Sequence, residues 1–146
     1  MENNTNFIIG SNYFFKDFEG FESKDTDVII MVDNLPETIL NFKDKEKHQD
    51  VFLINNTSKK EILDNCLNSD LSMKAGKFLI PEFNEYIGFT IDDLKLLKEK
   101  FDNIDEKHKY EKVIYDAYIE NNSFTLTDEQ RKHAYDVYIE SKNIIL

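Results

Sequence analysis

Five consecutive apolar residues, Val28-Ile29-Ile30-Met31-Val32, stand between the acidic triplet Asp25-Thr26-Asp27 and the breaker Asn34-Leu35-Pro36. A half-exposed strand alternates apolar with polar side chains. A short unbroken run rich in β-branched residues reads instead as a strand buried on both faces. Such a strand needs partners beside it and layers above and below it, which restricts the chain to a layered α/β or α+β architecture. Two further runs supply partners: Asn6-Phe7-Ile8-Ile9, stopped by Gly10-Ser11, and Val51-Phe52-Leu53-Ile54, closed by Asn55-Asn56. Between the first two, the spacing of Phe14 and Phe15 to Phe18 gives a short helix one greasy face.

Near residue 57 the character changes, and helix starts take over. Ser58-Lys59-Lys60-Glu61, Thr90-Ile91-Asp92-Asp93 and Thr127-Asp128-Glu129-Gln130 each place a hydroxyl where it can accept from an orphan backbone N–H, ahead of helically spaced apolar residues. A further helix is predicted over roughly 105–120, with Tyr110, Val113, Ile114, Ala117 and Tyr118 inward. The expected organisation is a strand core over 1–57 and a helical region over 58–146 packed on it, as one domain or as a helical subdomain. The expected fold is a small mixed sheet with flanking helices and a helical C-terminal half.

Charge narrows the partners. Acidic residues number 29 against 18 basic, and Arg131 is the one arginine. A net charge of −11 repels phosphate backbones, and forked contacts to phosphates or guanines are almost absent, so the composition argues against a nucleic-acid partner. With Cys66 as the single cysteine, no internal disulfide or thiolate cluster can form, which suits a reducing compartment. No stretch approaches the roughly twenty apolar residues of a membrane span, and the N-terminus does not read as a signal peptide. The expectation is a cytoplasmic protein without a membrane partner.

Two features carry chemistry. Asp25 and Asp27 lie two apart where a strand begins, so in an extended chain their carboxylates face one side, about 7 Å apart, and can share divalent cations. Asp50 opens the third run and completes a three-acid set if that strand is a neighbour of the second. Upstream, Gly10-Ser11 ends a strand and opens a helix: glycine permits close approach of a ligand to the backbone, and the hydroxyl adds a donor. One feature suits an anion, the other the cation that neutralises it.

The stretch Ile9-Gly10-Ser11, thirteen intervening residues, then Asp25-Thr26-Asp27-Val28, resembles the signature of the DNA polymerase β-like nucleotidyltransferase superfamily, in particular its small bacterial and phage members. Asp50 looks like the third carboxylate of that family. The resemblance covers roughly residues 6–55. It implies Mg²⁺ (or Mn²⁺) held by Asp25, Asp27 and Asp50 as metal-binding and catalytic residues, with Gly10, Ser11 and Asn12 on the nucleotide. A nucleoside monophosphate would pass from a nucleoside triphosphate to a hydroxyl of a protein or small molecule, with pyrophosphate leaving. The pattern departs from the family at Asn12, Phe15 and Thr26, where a basic residue, a second glycine and an apolar residue are usual. A catalytically inactive member serving as a binding or interaction module is the alternative.

Lys74 and Lys77 are candidate phosphate-binding cations in a region otherwise poor in them, set against the bland reading of solvated lysines. The tyrosines between 110 and 138 recur at helical spacing and read as helix packing rather than base stacking.

Overall fold

The computed structural model describes residues 5–67 and 72–144, the side chains of 72–74 and 144 excepted. It forms two compact units, Met1–Asn68 and Ser69–Leu146. The fold is α+β, with a four-stranded mixed sheet and a helical C-terminal half. Among the described residues no helix is long and apolar enough to cross a membrane.

The first unit is built on strands β1 (Thr5–Ile9), β2 (Thr26–Val32), β3 (Ile39–Asp44) and β4 (Gln49–Asn55), in the spatial order β1-β2-β4-β3. The uninterrupted apolar run is the central strand β2, antiparallel to β1 on one side and parallel to β4 on the other. Strand β3 was not expected from the sequence. Its Asn, Lys and Asp disfavour strand structure, and as an edge strand it can carry them on its open side. It forms an antiparallel hairpin with β4, so the chain passes beyond the site of β4, turns, and inserts β4 between β2 and β3. The hairpin turn is tightened by Asp44, whose Oδ1 accepts from the Lys47 N–H at 3.2 Å, and His48 takes a positive φ of 53°.

One face of the sheet buries Ile29, Met31, Phe52 and Ile54 at 0–4 % exposure. Helix α1 (Ser11–Phe15) directs Phe14 and Phe15 inward. The following loop is tied to it by rings, with Phe18 and Phe21 at 6.0 and 6.5 Å from the Phe15 centroid. Helix α2 (Lys59–Leu67) belongs to this unit, opened by Ser58, whose Oγ accepts from the Glu61 N–H at 3.2 Å.

The second unit begins with a 3-10 segment (Ser72–Leu79). Then follow α3 (Pro81–Ile87), α4 (Ile91–Leu94), α5 (Lys98–Asp102), α6 (Lys109–Asn121) and α7 (Asp128–Ile144). The 3-10 segment carries no start signal that separates it from loop, whereas α3, not expected above, is opened by Pro81 at its first position and closed by Gly88 at φ 79°. The Thr90 and Thr127 boxes are both present: each hydroxyl accepts from the backbone N–H three residues on, and that residue's side chain accepts from the cap's own N–H. The helix after Thr90 is interrupted by a 3-10 turn at Lys95–Leu97, yet Leu94, Leu97 and Phe101 are all fully buried. Ring pairs knit the core: Phe78 on Phe89, Phe101 on Tyr115, and Tyr110 edge-on to Tyr138. Tyr118 donates its hydroxyl to the Leu79 carbonyl at 2.8 Å, so a fully buried phenol is satisfied.

Helix α6 buries more than its apolar stripe, since Glu111 is 7 % exposed. Its carboxylate lies over Gly76, where a Cβ would fall 2.6 Å from Oε1; glycine is what admits it. His108 lies one turn before, its side chain 15 % exposed and its Nδ1 3.6 Å from Glu111 Oε2. Burial pushes the imidazole pKa below its ordinary 6.5, with Asp105 pulling it up and Lys107 pushing it further down. The unfolded chain therefore takes this proton first as pH falls. Stability is complete above about 6.5 and declines as pH drops from there toward the lowered folded value. Urea midpoints measured from pH 7.5 to 5 are expected to fall more steeply for the wild type than for His108→Gln, and parallel profiles would refute the buried imidazole.

Candidate functional site

The site is built by register. Ile9 on β1 pairs with Asp27 on β2, Asp27 pairs with Asp50 on β4, and Asp50 pairs with Lys43 on β3. Paired residues in a sheet project to the same side. One row across four strands therefore reads Ile9, Asp27, Asp50, Lys43, with Gly10 following directly where β1 ends. Asp27 and Asp50 are neighbours across one strand spacing, about 4.8 Å.

Gly10 sits at φ 72°, ψ −154°, a region essentially restricted to glycine. A Cβ at this position would lie 2.8 Å from Asp27 Oδ2. The glycine thus serves twice: it makes the strand-to-helix turn, and it leaves room for the Asp27 carboxylate against the backbone. Ser11 opens α1 at once, while the Tyr13 N–H donates to the Gly10 carbonyl at 3.0 Å.

Asn12 is committed elsewhere. Its Nδ2 donates to the Asp25 carbonyl at 3.0 Å and to Ser23 Oγ at 3.2 Å, and Ser23 Oγ itself donates to the Asp25 carbonyl at 2.6 Å. These bonds clamp the loop before β2 to α1. Asn12 consequently has a loop-holding role that the sequence did not suggest.

The three expected carboxylates are placed differently from one another. Asp27 is half-buried beside Gly10. Asp50 is 8 % exposed, and its Oδ1 accepts from Asn41 Nδ2 at 2.8 Å. Asp25 lies in the bend before β2, because the strand begins at Thr26; its side chain is 45 % exposed and Oδ1 is 4.0 Å from Nδ1 of the exposed His48. Among the described residues no three His, Cys, Asp or Glu side chains gather closely enough to hold a metal ion. The three-acid cage expected from the sequence is thus replaced by a pair, Asp27 with Asp50. A pair still fits one Mg²⁺, which takes one or two carboxylates and completes its shell with water and substrate phosphate.

The two lysine candidates do not serve as exposed cations. Lys77 is 1 % exposed inside the helical unit, beyond reach of a ligand without opening the core. The side chain of Lys74 lies outside the described residues. The residues that sequence reasoning missed are Asn41 and Lys43, both on the unexpected β3. A hairpin reading of residues 39–54 would have placed Lys43 across from Asp50.

Replacing Gly10 by alanine imposes both the backbone penalty and the contact with Asp27. Urea unfolding of Gly10→Ala is expected to show a loss of about 1–3 kcal/mol. Adding Asp27→Ala should recover the contact part alone, and a Gly10→Ala protein as stable as wild type would show that the turn and the carboxylate do not meet.

No protein-family model, no curated protein and no solved structure matches the chain.

Proposed function

We propose that the chain is a divalent-cation-dependent nucleotidyltransferase that moves a nucleoside monophosphate from a nucleoside triphosphate to a hydroxyl of a protein or small molecule. The observation that carries this is the single row joining Gly10, Asp27 and Asp50. Residues distant in sequence converge there on one end of the sheet. Asp27 and Asp50 would hold Mg²⁺ or Mn²⁺ through hard oxygens. The bound cation would neutralise charge developing on the transferred phosphoryl group. Gly10, with no side chain, lets the Asp27 carboxylate sit against the turn, so that a phosphate would reach this turn through the cation Asp27 holds, and Ser11 adds a hydroxyl donor beside it. Lys43, exposed at the far end of the row, contributes positive charge that the acidic pair lacks. The net charge of −11 favours a protein or small-molecule acceptor over a nucleic acid.

A second reading, an inactive nucleotide-binding or interaction module, is favoured by one observation. Asp25 stands outside the strand and the acids assemble as two rather than three. Two-metal transfer has no third carboxylate here, whereas cation-dependent binding needs only the pair.

Calorimetric titration with each of the four nucleoside triphosphates, with Mg²⁺ and with a chelator, tests both. Binding is expected with Mg²⁺, to be lost with the chelator and in Asp27→Asn/Asp50→Asn. Pyrophosphate release on adding acceptor proteins or small-molecule alcohols supports transfer, and binding without release supports the module. No binding at millimolar nucleotide overturns the transferase and any nucleotide-binding module alike.

A further inference from the structure

We propose that Asn41 is the positioning residue of the acidic pair, holding Asp50 so that one carboxylate oxygen is fixed by the protein and the other is presented to the cation. The inference rests on the cation-binding reading above. Asn41 pairs with Phe52, two residues beyond Asp50, and so lies diagonally across the hairpin on the same face. From there its Nδ2 donates to Asp50 Oδ1 at 2.8 Å and to the Val51 carbonyl at 3.0 Å. Two acceptors at different bearings define the plane of the amide, and with it the direction from which Oδ1 is approached. Among the described residues Asp50 Oδ2 accepts no hydrogen bond. A carboxylate tied at one oxygen and open at the other is the arrangement that partners behind a metal ligand commonly enforce, and losing such a partner typically costs 10–100-fold in metal affinity.

A purely structural role is the competitor, because a carboxylate 8 % exposed needs a hydrogen-bond partner whatever its use. The two differ in what they move. Satisfying a buried acid changes stability; orienting a ligand changes affinity for the ion, and only while Asp50 is a carboxylate. Asn41 is itself an exposed residue on an edge strand, so substitution leaves the β3–β4 ladder bonds in place.

The experiment is Mn²⁺ binding to the full chain, followed by electron paramagnetic resonance of the free ion, for wild type, Asn41→Ala, Asp50→Asn and Asn41→Ala/Asp50→Asn. Asn41→Ala is expected to weaken Mn²⁺ binding about 10–100-fold, with no further loss when it is added to Asp50→Asn. Asn41→Gln keeps the amide but displaces it by one methylene, and a smaller loss in the same direction is expected; it serves in place of Asn41→Ala if that variant does not fold. Unchanged Mn²⁺ affinity in a folded Asn41 variant, with a lowered unfolding midpoint, overturns the inference and leaves the cation site standing. A wild-type chain that binds no Mn²⁺ overturns the site and the inference together.

Discussion

The parallel pairing of β2 with β4 is the constraint on which the rest of the sheet unit depends. Its register matches Ile29 with Phe52 and Met31 with Ile54, four side chains between 0 and 4 % exposed. A slip of one residue would exchange this set for Val28, Ile30, Val51 or Leu53 from the other face, side chains of different size and shape that would not fill the same packed layer. The core therefore fixes the register, and the register puts Asp27 beside Asp50. The acidic pair is a by-product of hydrophobic matching two residues further along the same strands. It needs no interaction of its own to assemble.

The pairing on the other side of β2 brings in the turn. Ile9 ends β1 opposite Asp27, and the chain must leave the strand at that point without covering the carboxylate. A backbone at φ 72° with no side chain does this, and the clamp of Asn12 on residues 23–25 then returns the chain to β2 at a defined place. The aromatic cluster of Phe15 with Phe18, edge-on, and Phe21, tilted, closes the same connection from the apolar side. Local geometry and core packing agree here, the mark of a segment whose conformation is specified at more than one level.

Much of this could be read from the residues. The runs at 6–9, 28–32 and 51–54 announced three strands because they are short, apolar and punctuated by Gly, Asn and Pro. The hydroxyl caps at Ser58, Thr90 and Thr127 located helix starts to the residue, since capping is a local interaction. Helix α3 escaped notice despite its local signals, Pro81 and Gly88; the rest of what was missed depends on contacts distant in sequence. Strand β3 has no local signature, because an edge strand gains its structure from its partner. Glu111 and Lys77 look like solvated charges, and their burial follows from the close approach that Gly76 allows or from the packing of the helical unit, neither visible in spacing. Asp25 failed to join Asp27 because the argument from alternation holds only inside a strand, and β2 begins one residue later.

The missed strand also changes what the row of side chains can mean. Polar and charged residues on an edge strand discourage edge-to-edge association, so Asn41 and Lys43 have a sufficient reason to exist without any ligand. That reason constrains composition but not position. Protection of the edge is served by polar groups anywhere along β3, on either face. The two residues instead fall on the face that carries Asp27 and Asp50, one of them bonded to Asp50 and the other opposite it. The opposite face of the same strand presents Phe42, 47 % exposed, where a charge would protect better. Asn41 on this face satisfies the buried Asp50 carboxylate, a reason for its position that edge protection does not supply, whereas the polar residue on the Phe42 face, Asp44, serves the hairpin turn.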